Sequence, residues 1–122
     1  SEILRHRPDG FNVLSGDDSL TLPLMALGAE GVISVISNIA PRPMAELVKA
    51  VADGNLDRAR DLHFGLVPLM AAAFVESNPM PSKAALAHMG RVQDVLRLPL
   101  VSLAETHRAN LFDAIERANE TL

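Results

Sequence analysis

Cysteine, tryptophan and tyrosine are absent from the 122 residues of this sequence, and lysine occurs only as Lys49 and Lys83. Without cysteine the chain forms no disulfide, offers no thiolate to a metal and has no sulfur nucleophile, a composition compatible with a reducing compartment. Four phenylalanines are the whole aromatic content, so a core has to be built from Leu, Val, Ile, Met and Ala. The net charge of -4, with no basic stripe interleaved with stacking aromatics, argues against a nucleic-acid partner. No apolar run approaches the roughly 20 residues that a membrane-spanning helix needs. The charged opening Ser-Glu-Ile-Leu-Arg-His-Arg lacks the apolar centre of a signal peptide. No membrane association is therefore expected, and the cytoplasm is the expected location. His6, His63, His88 and His107 have no ligand-like spacing with each other or with a carboxylate, and read as helix-surface or packing residues. Neither a metal nor a cofactor is expected.

What is present suffices for one domain of ordinary size: 48% of residues are hydrophobic, the mean hydropathy is +0.18 and the pI is near 5.5. The opening lacks an initiator Met, and Glu2 to His6 reads as the tail of a helix, so the sequence is expected to start within a domain. Pro8-Asp9-Gly10 is a turn that launches a β-type run, Phe11-Asn12-Val13-Leu14, ending in Ser15-Gly16-Asp17-Asp18. Asp17, Asp18 and Ser19 supply cap oxygens and negative charge for a helix reaching about Leu27, with Pro23 near its start and Gly28 at its end. Gly31-Val32-Ile33-Ser34-Val35 is a second run, apolar except for Ser34 as buried parallel strands are, and Ile36-Ser37-Asn38 follows it.

Beyond this point the periodicity is helical. Pro41 and Pro43 open a helix with Met44, Leu47, Val48 and Val51 on one face, closed by Asp53-Gly54-Asn55. Leu56 to about Phe74 is a longer helical pattern that Pro68 is expected to kink or divide. Ser77-Asn78-Pro79 breaks the chain, a short helix runs from about Pro81 to Met89, and Val95 to Leu100 is an extended loop. Ser102 and Glu105 have the spacing of a capping box for a last helix whose face is Leu103, His107, Leu111, Ala114 and Ile115. The organisation is therefore two βα units over residues 1–54 and a helical subdomain over residues 55–122, mostly helical by residue count. Two strands make a poor sheet, because each carries unpaired backbone along one edge. Consecutive βα units of this kind look like the closing portion of a barrel, an α/β architecture that needs further strands.

Small and polar residues at the ends of buried parallel strands are where α/β enzymes place their chemistry. Gly16 ends the first run where a side chain would crowd a ligand or a tight turn. Asp17 and Asp18 are adjacent carboxylates; helix capping explains them more simply than acid/base or hard-metal chemistry. Ile33 by itself reads as a core β-branched residue of a buried strand. Asn38 follows the second run, where its plain role is to cap the next helix, and Arg42 is a weak candidate for an anion.

Four segments together carry a resemblance: Leu14-Ser15-Gly16-Asp17-Asp18; Gly31-Val32-Ile33-Ser34-Val35 with Asn38 and Ala40; Asn78-Pro79-Met80-Pro81-Ser82-Lys83; and Leu96-Arg97-Leu98-Pro99. In this order and spacing they resemble the carboxy-terminal part of the dihydrodipicolinate synthase (4-hydroxy-tetrahydrodipicolinate synthase) family. The resemblance implies the last two βα units of a (β/α)8 TIM barrel, with Phe11 to Leu14 as the seventh strand and Gly31 to Val35 as the eighth, followed by a helical subdomain. It implies a homo-oligomeric lyase that condenses pyruvate with aspartate semialdehyde in lysine biosynthesis by way of diaminopimelate, with pyruvate held as a Schiff base on a lysine of the sixth strand. By this mapping no catalytic residue lies within the sequence. Ile33 and Gly16 become substrate-binding residues of the pyruvate pocket, and Asp17, Asp18 and Asn38 become candidate rim residues on the catalytic face.

The wider superfamily of pyruvate-dependent aldolases and lyases, N-acetylneuraminate lyase among them, shares the fold. The Gly-Asp-Asp form after the seventh strand favours the synthase. A non-enzymatic alternative is a truncated assembly module that uses its apolar helices to bind copies of itself. Either way, the chain alone is expected to be inactive.

Overall fold

The structure is a computed structural model and describes residues 1–120. A short exposed helix, α1 (Glu2–His6), precedes the Pro8-Asp9-Gly10 turn. The turn is closed by a hydrogen bond from the Phe11 N–H to the Pro8 carbonyl (3.1 Å), with Gly10 at φ +75°. Strands β1 (Leu14–Ser15) and β2 (Gly31–Val32) pair in parallel, Leu14 opposite Gly31 and Ser15 opposite Val32. Both are shorter than the runs Phe11–Leu14 and Gly31–Val35 predicted from sequence, and β1 ends one residue later. A ladder reaches only as far as both strands follow each other. Here the Val13 N–H turns to the Glu30 carboxylate (2.8 Å), and the chain after Ile33 curls into a 3-10 turn over Ile36–Asn38.

The crossover between the strands differs in detail from the single helix expected. A 3-10 turn over Asp18–Leu20 leads into α2 (Thr21–Ala26), and Asp17 is the cap, its carboxylate accepting from the Ser19 N–H at 2.9 Å. Helix α3 (Pro41–Ala52) begins on Pro41, where the missing N–H costs nothing. Helix α4 (Leu56–Ala72) starts at Asn55, whose side chain accepts from the Arg58 N–H, and Pro68 does not divide it. The proline lies close enough to the end that the helix runs only four residues past it. Helices α5 (Met80–His88) and α6 (Glu105–Glu120) complete the described chain. The capping box does not form. Ser102 instead donates its hydroxyl to the Asp94 carbonyl (3.3 Å), and Glu76, from the loop after α4, accepts the Ala104 N–H (3.1 Å) where α6 begins.

The core lies where α4 packs against α3 on one side and α6 on the other. Leu47, Leu62, Leu66, Leu69 and Leu111 are fully buried there, each stabilising the fold by about 1.5–3 kcal/mol through burial. In a chain so poor in aromatics, alanines let the helices approach closely: Ala59, Ala72, Ala73, Ala84, Ala85, Ala114 and Ala118 are all buried. The same cluster takes in Ile36, Ile39 and Ala40, so the chain just past β2 is anchored in it. Two consequences are measurable. Leu62→Ala and Leu111→Ala should each lower stability by about 3 kcal/mol in urea titrations, and losses below about 1 kcal/mol would contradict this core. Phe11, Leu14 and Ile33 are exposed beside sheet edges that have no partner strand among the described residues, so the chain should self-associate with rising concentration in sedimentation velocity, whereas a single monomeric species throughout would contradict the open-edge reading.

Candidate active-site portion

The ends of β1 and β2 form one contiguous surface, because the Ile33 N–H donates to the Ser15 carbonyl (2.8 Å) one step past the ladder. Ser15 is buried, and its hydroxyl both donates to the Asp17 carbonyl (2.6 Å) and accepts from the Asp17 N–H (3.1 Å). These bonds fold the Ser15-Gly16-Asp17 corner, leaving Gly16 exposed with open space where a Cβ would stand. Gly16 thus answers to the turn and to an open approach from solvent, and to no close packing. Ile33 is 73% exposed at the end of β2, bare of the packing that a core isoleucine would have.

The adjacent carboxylates have separate environments. Asp17 is exposed and caps the turn through Ser19, taking both its N–H and its hydroxyl (2.7 Å) on one oxygen. Asp18 is 1% exposed, and its Oδ2 accepts from the N–H groups of Val35 (3.0 Å) and Ile36 (3.2 Å) beyond β2. Asn38 is exposed and donates from its side chain to the Val35 carbonyl (3.0 Å), closing the 3-10 turn. It does not cap α3, which starts from Ala40 without a side-chain cap. Arg42 is exposed and paired along its own helix with Glu46. The structure therefore brings Gly16, Asp17, Asp18 and Ile33 to one end of the strand pair, with Asn38 one turn farther on.

Three contributors escaped the sequence reading. Ser15 is the hinge of the corner, and the only hint was a serine before Gly-Asp. Thr21 is fully buried at the start of α2, and its hydroxyl has no hydrogen-bond partner. Glu30, at the opposite end of the ladder, accepts from the Val13 N–H and pairs with Arg7. Nothing local announces a contact spanning 17 residues. The Val13 bond outweighs the opposing desolvation and, with a lesser contribution from Arg7, holds the Glu30 carboxyl below its ordinary value of 4.5. Among the described residues no group of three or more His, Asp or Glu side chains could hold a metal ion, and no helix is long and apolar enough to cross a membrane.

Strand ends that meet at a Ser-Gly-Asp-Asp corner, with helices packed behind them, have the form of the closing part of an α/β barrel. The family model of the dihydrodipicolinate synthetase family matches residues 1–118. The 4-hydroxy-tetrahydrodipicolinate synthase of Syntrophus aciditrophicus is 54% identical over 111 residues, which cover 91% of this chain and 38% of that protein. The solved 4-hydroxy-tetrahydrodipicolinate synthase of Methylacidiphilum fumariolicum superposes with a TM-score of 0.94 at 42% identity, over 99% of this chain and 40% of that one. The dihydrodipicolinate synthase of Aquifex aeolicus gives a TM-score of 0.92 at 43% identity, over 99% and 41%. The chain belongs to the dihydrodipicolinate synthetase family. It spans about two-fifths of the length of these relatives and corresponds to the carboxy-terminal portion of their barrel fold.

The Glu30 clamp has a definite pH signature. A carboxyl whose folded-state value is depressed stabilises the fold fully above 4.5 and loses that contribution as pH falls through its lower folded value. The Val13 amide resonance should therefore titrate with a midpoint below 4.5, and Glu30→Gln should abolish that transition; a midpoint at or above 4.5 would refute the clamp.

Proposed function

We propose that this chain forms the closing part of a pyruvate-dependent class I lyase of the 4-hydroxy-tetrahydrodipicolinate synthase type, condensing pyruvate with aspartate semialdehyde. In that chemistry a lysine amine adds to the keto carbon of pyruvate and water leaves. Loss of a methyl proton from the imine then gives the enamine that attacks the aldehyde. The observation that carries the reading is Ile33, an apolar β-branched residue left bare at the end of β2 beside the Ser15-Gly16 corner. A pocket wall completed by other strands accounts for it. The relatives described above carry one enzyme name, which favours the synthase over lyases acting on sugar acids.

The two lysines fit other roles. A Schiff-base lysine needs a desolvated or cation-rich pocket to release its proton near neutral pH. Lys49 is on α3, 72% exposed and paired with Asp53, and Lys83 lies in the first turn of α5, on neither strand. The reactive amine is accordingly assigned to the sixth strand of the family's barrel, and the chain by itself is inactive. On this reading residues 1–54 close the barrel and residues 55–122 are the helical subdomain of a cytoplasmic homo-oligomer, with Gly16 and Ile33 lining the pyruvate site and Asp17 and Asn38 at its rim.

The test is borohydride trapping with pyruvate, read by peptide mass. The chain alone should gain no mass. A chimera in which it replaces the matching segment of the Syntrophus aciditrophicus enzyme should be trapped on one lysine outside this sequence. Modification of Lys49 or Lys83, or a folded chimera that traps no pyruvate, would overturn the proposal.

A further inference from the structure

Among the described residues Asp18 is the one carboxylate that is essentially buried, and that burial serves a single task. Its Oδ2 accepts two backbone N–H groups, from Val35 and Ile36, 17 and 18 residues away, while Oδ1 is buried with no hydrogen-bond donor. Burying a carboxylate is costly unless hydrogen bonds compensate it, and charge-assisted bonds of this kind are stronger than neutral ones. They run from the first residue of the 3-10 turn after β1 to the residues that open the 3-10 turn after β2. Between the ladder bond at Ile33 N–H and the Asp18 bonds at Val35 and Ile36, the segment 33–36 is held at both ends. Ile36 is in addition fully buried, which fixes the far end against the helical core.

Resting on the function proposed above, we propose that Asp18 is a positioning residue for the pyruvate site. It touches no substrate; it sets where Ile33 stands by clamping the Val35 and Ile36 amides two and three residues farther on. The sequence offers Asp17 and Asp18 as equivalent neighbours, yet only Asp18 reaches across to the second strand. Exposed Asp17 serves its own turn.

Asp18→Ala removes the acceptor, whereas Asp18→Asn keeps one carbonyl oxygen at nearly the same place without the charge. In the full chain, hydrogen exchange at the Val35 and Ile36 amides should accelerate about tenfold or more in Asp18→Ala, about the loss of one charge-assisted bond, and less in Asp18→Asn. In the chimera, the pyruvate concentration giving half-maximal borohydride trapping should rise about tenfold in Asp18→Ala, with the trapped yield at saturation nearly unchanged and partial rescue in Asp18→Asn. A merely structural role would lower the yield of competent protein and leave the half-saturating concentration alone. Unchanged exchange at Val35 and Ile36, or faster exchange with unchanged half-saturation, would overturn the role assigned to Asp18. If Asp18→Ala does not fold, Asp18→Asn decides alone by the same two readouts. Failure of the unsubstituted chimera to trap pyruvate would instead overturn the underlying enzyme reading and this role with it.

Discussion

A parallel strand pair has two outer edges, and everything distinctive about this chain follows from how those edges are treated. Among the described residues strand β1 meets only β2, and the bonds that join them use one side of each strand. Because successive N–H groups along a strand alternate in direction, the Ile33 N–H on the β1 side places that of Val32 on the other. A groove of about 300 Å³ opens between β2 and α3, lined by Val32, Ser34, Pro41, Met44 and Val48. An unpaired strand edge suits another strand far better than it suits water. The exposed Phe11, Leu14 and Ile33 belong to the same pattern.

The helical part solves a different problem and solves it internally. Helices α3, α4 and α6 bury a run of leucines and alanines, and the residues just after β2 are rooted in that cluster. The strand ends are thereby held in place by a core that does not depend on the sheet. Two carboxylates tie the ladder at its ends: Glu30 receives the Val13 N–H at the start, and Asp18 receives Val35 and Ile36 beyond the finish. This division of labour is what lets so short a ladder present an ordered surface.

Much of this was legible in the residues. Proline and glycine punctuation located the helices to within a few residues, because Pro41, Asn55 and Gly90 act through local backbone chemistry that the sequence states directly. The strand runs and the Ser-Gly-Asp-Asp corner were equally local. What could not be read were contacts across the chain. Ser102 and Glu105 had the right spacing for a capping box, but Ser102 donates to the Asp94 carbonyl and Glu76, 28 residues from Ala104, accepts the Ala104 N–H where the helix begins. Asp18 looked like a twin of Asp17 until the fold placed Val35 and Ile36 against it. Pro68 was expected to kink or divide α4, and α4 runs on unbroken to Ala72. The extents of the strands failed for a related reason, since a ladder depends on its partner and the sequence states only half of the pair.

The account turns on whether the outer edge of β2 awaits another strand. Hydrogen exchange at the Val32 amide, compared between the dilute chain and its chimera with the Syntrophus aciditrophicus enzyme, tests this most directly. Rapid exchange in the dilute chain and strong protection in the chimera is the expected result. Strong protection already present in a dilute monomer would mean that the edge is satisfied from within, and the barrel reading would fail.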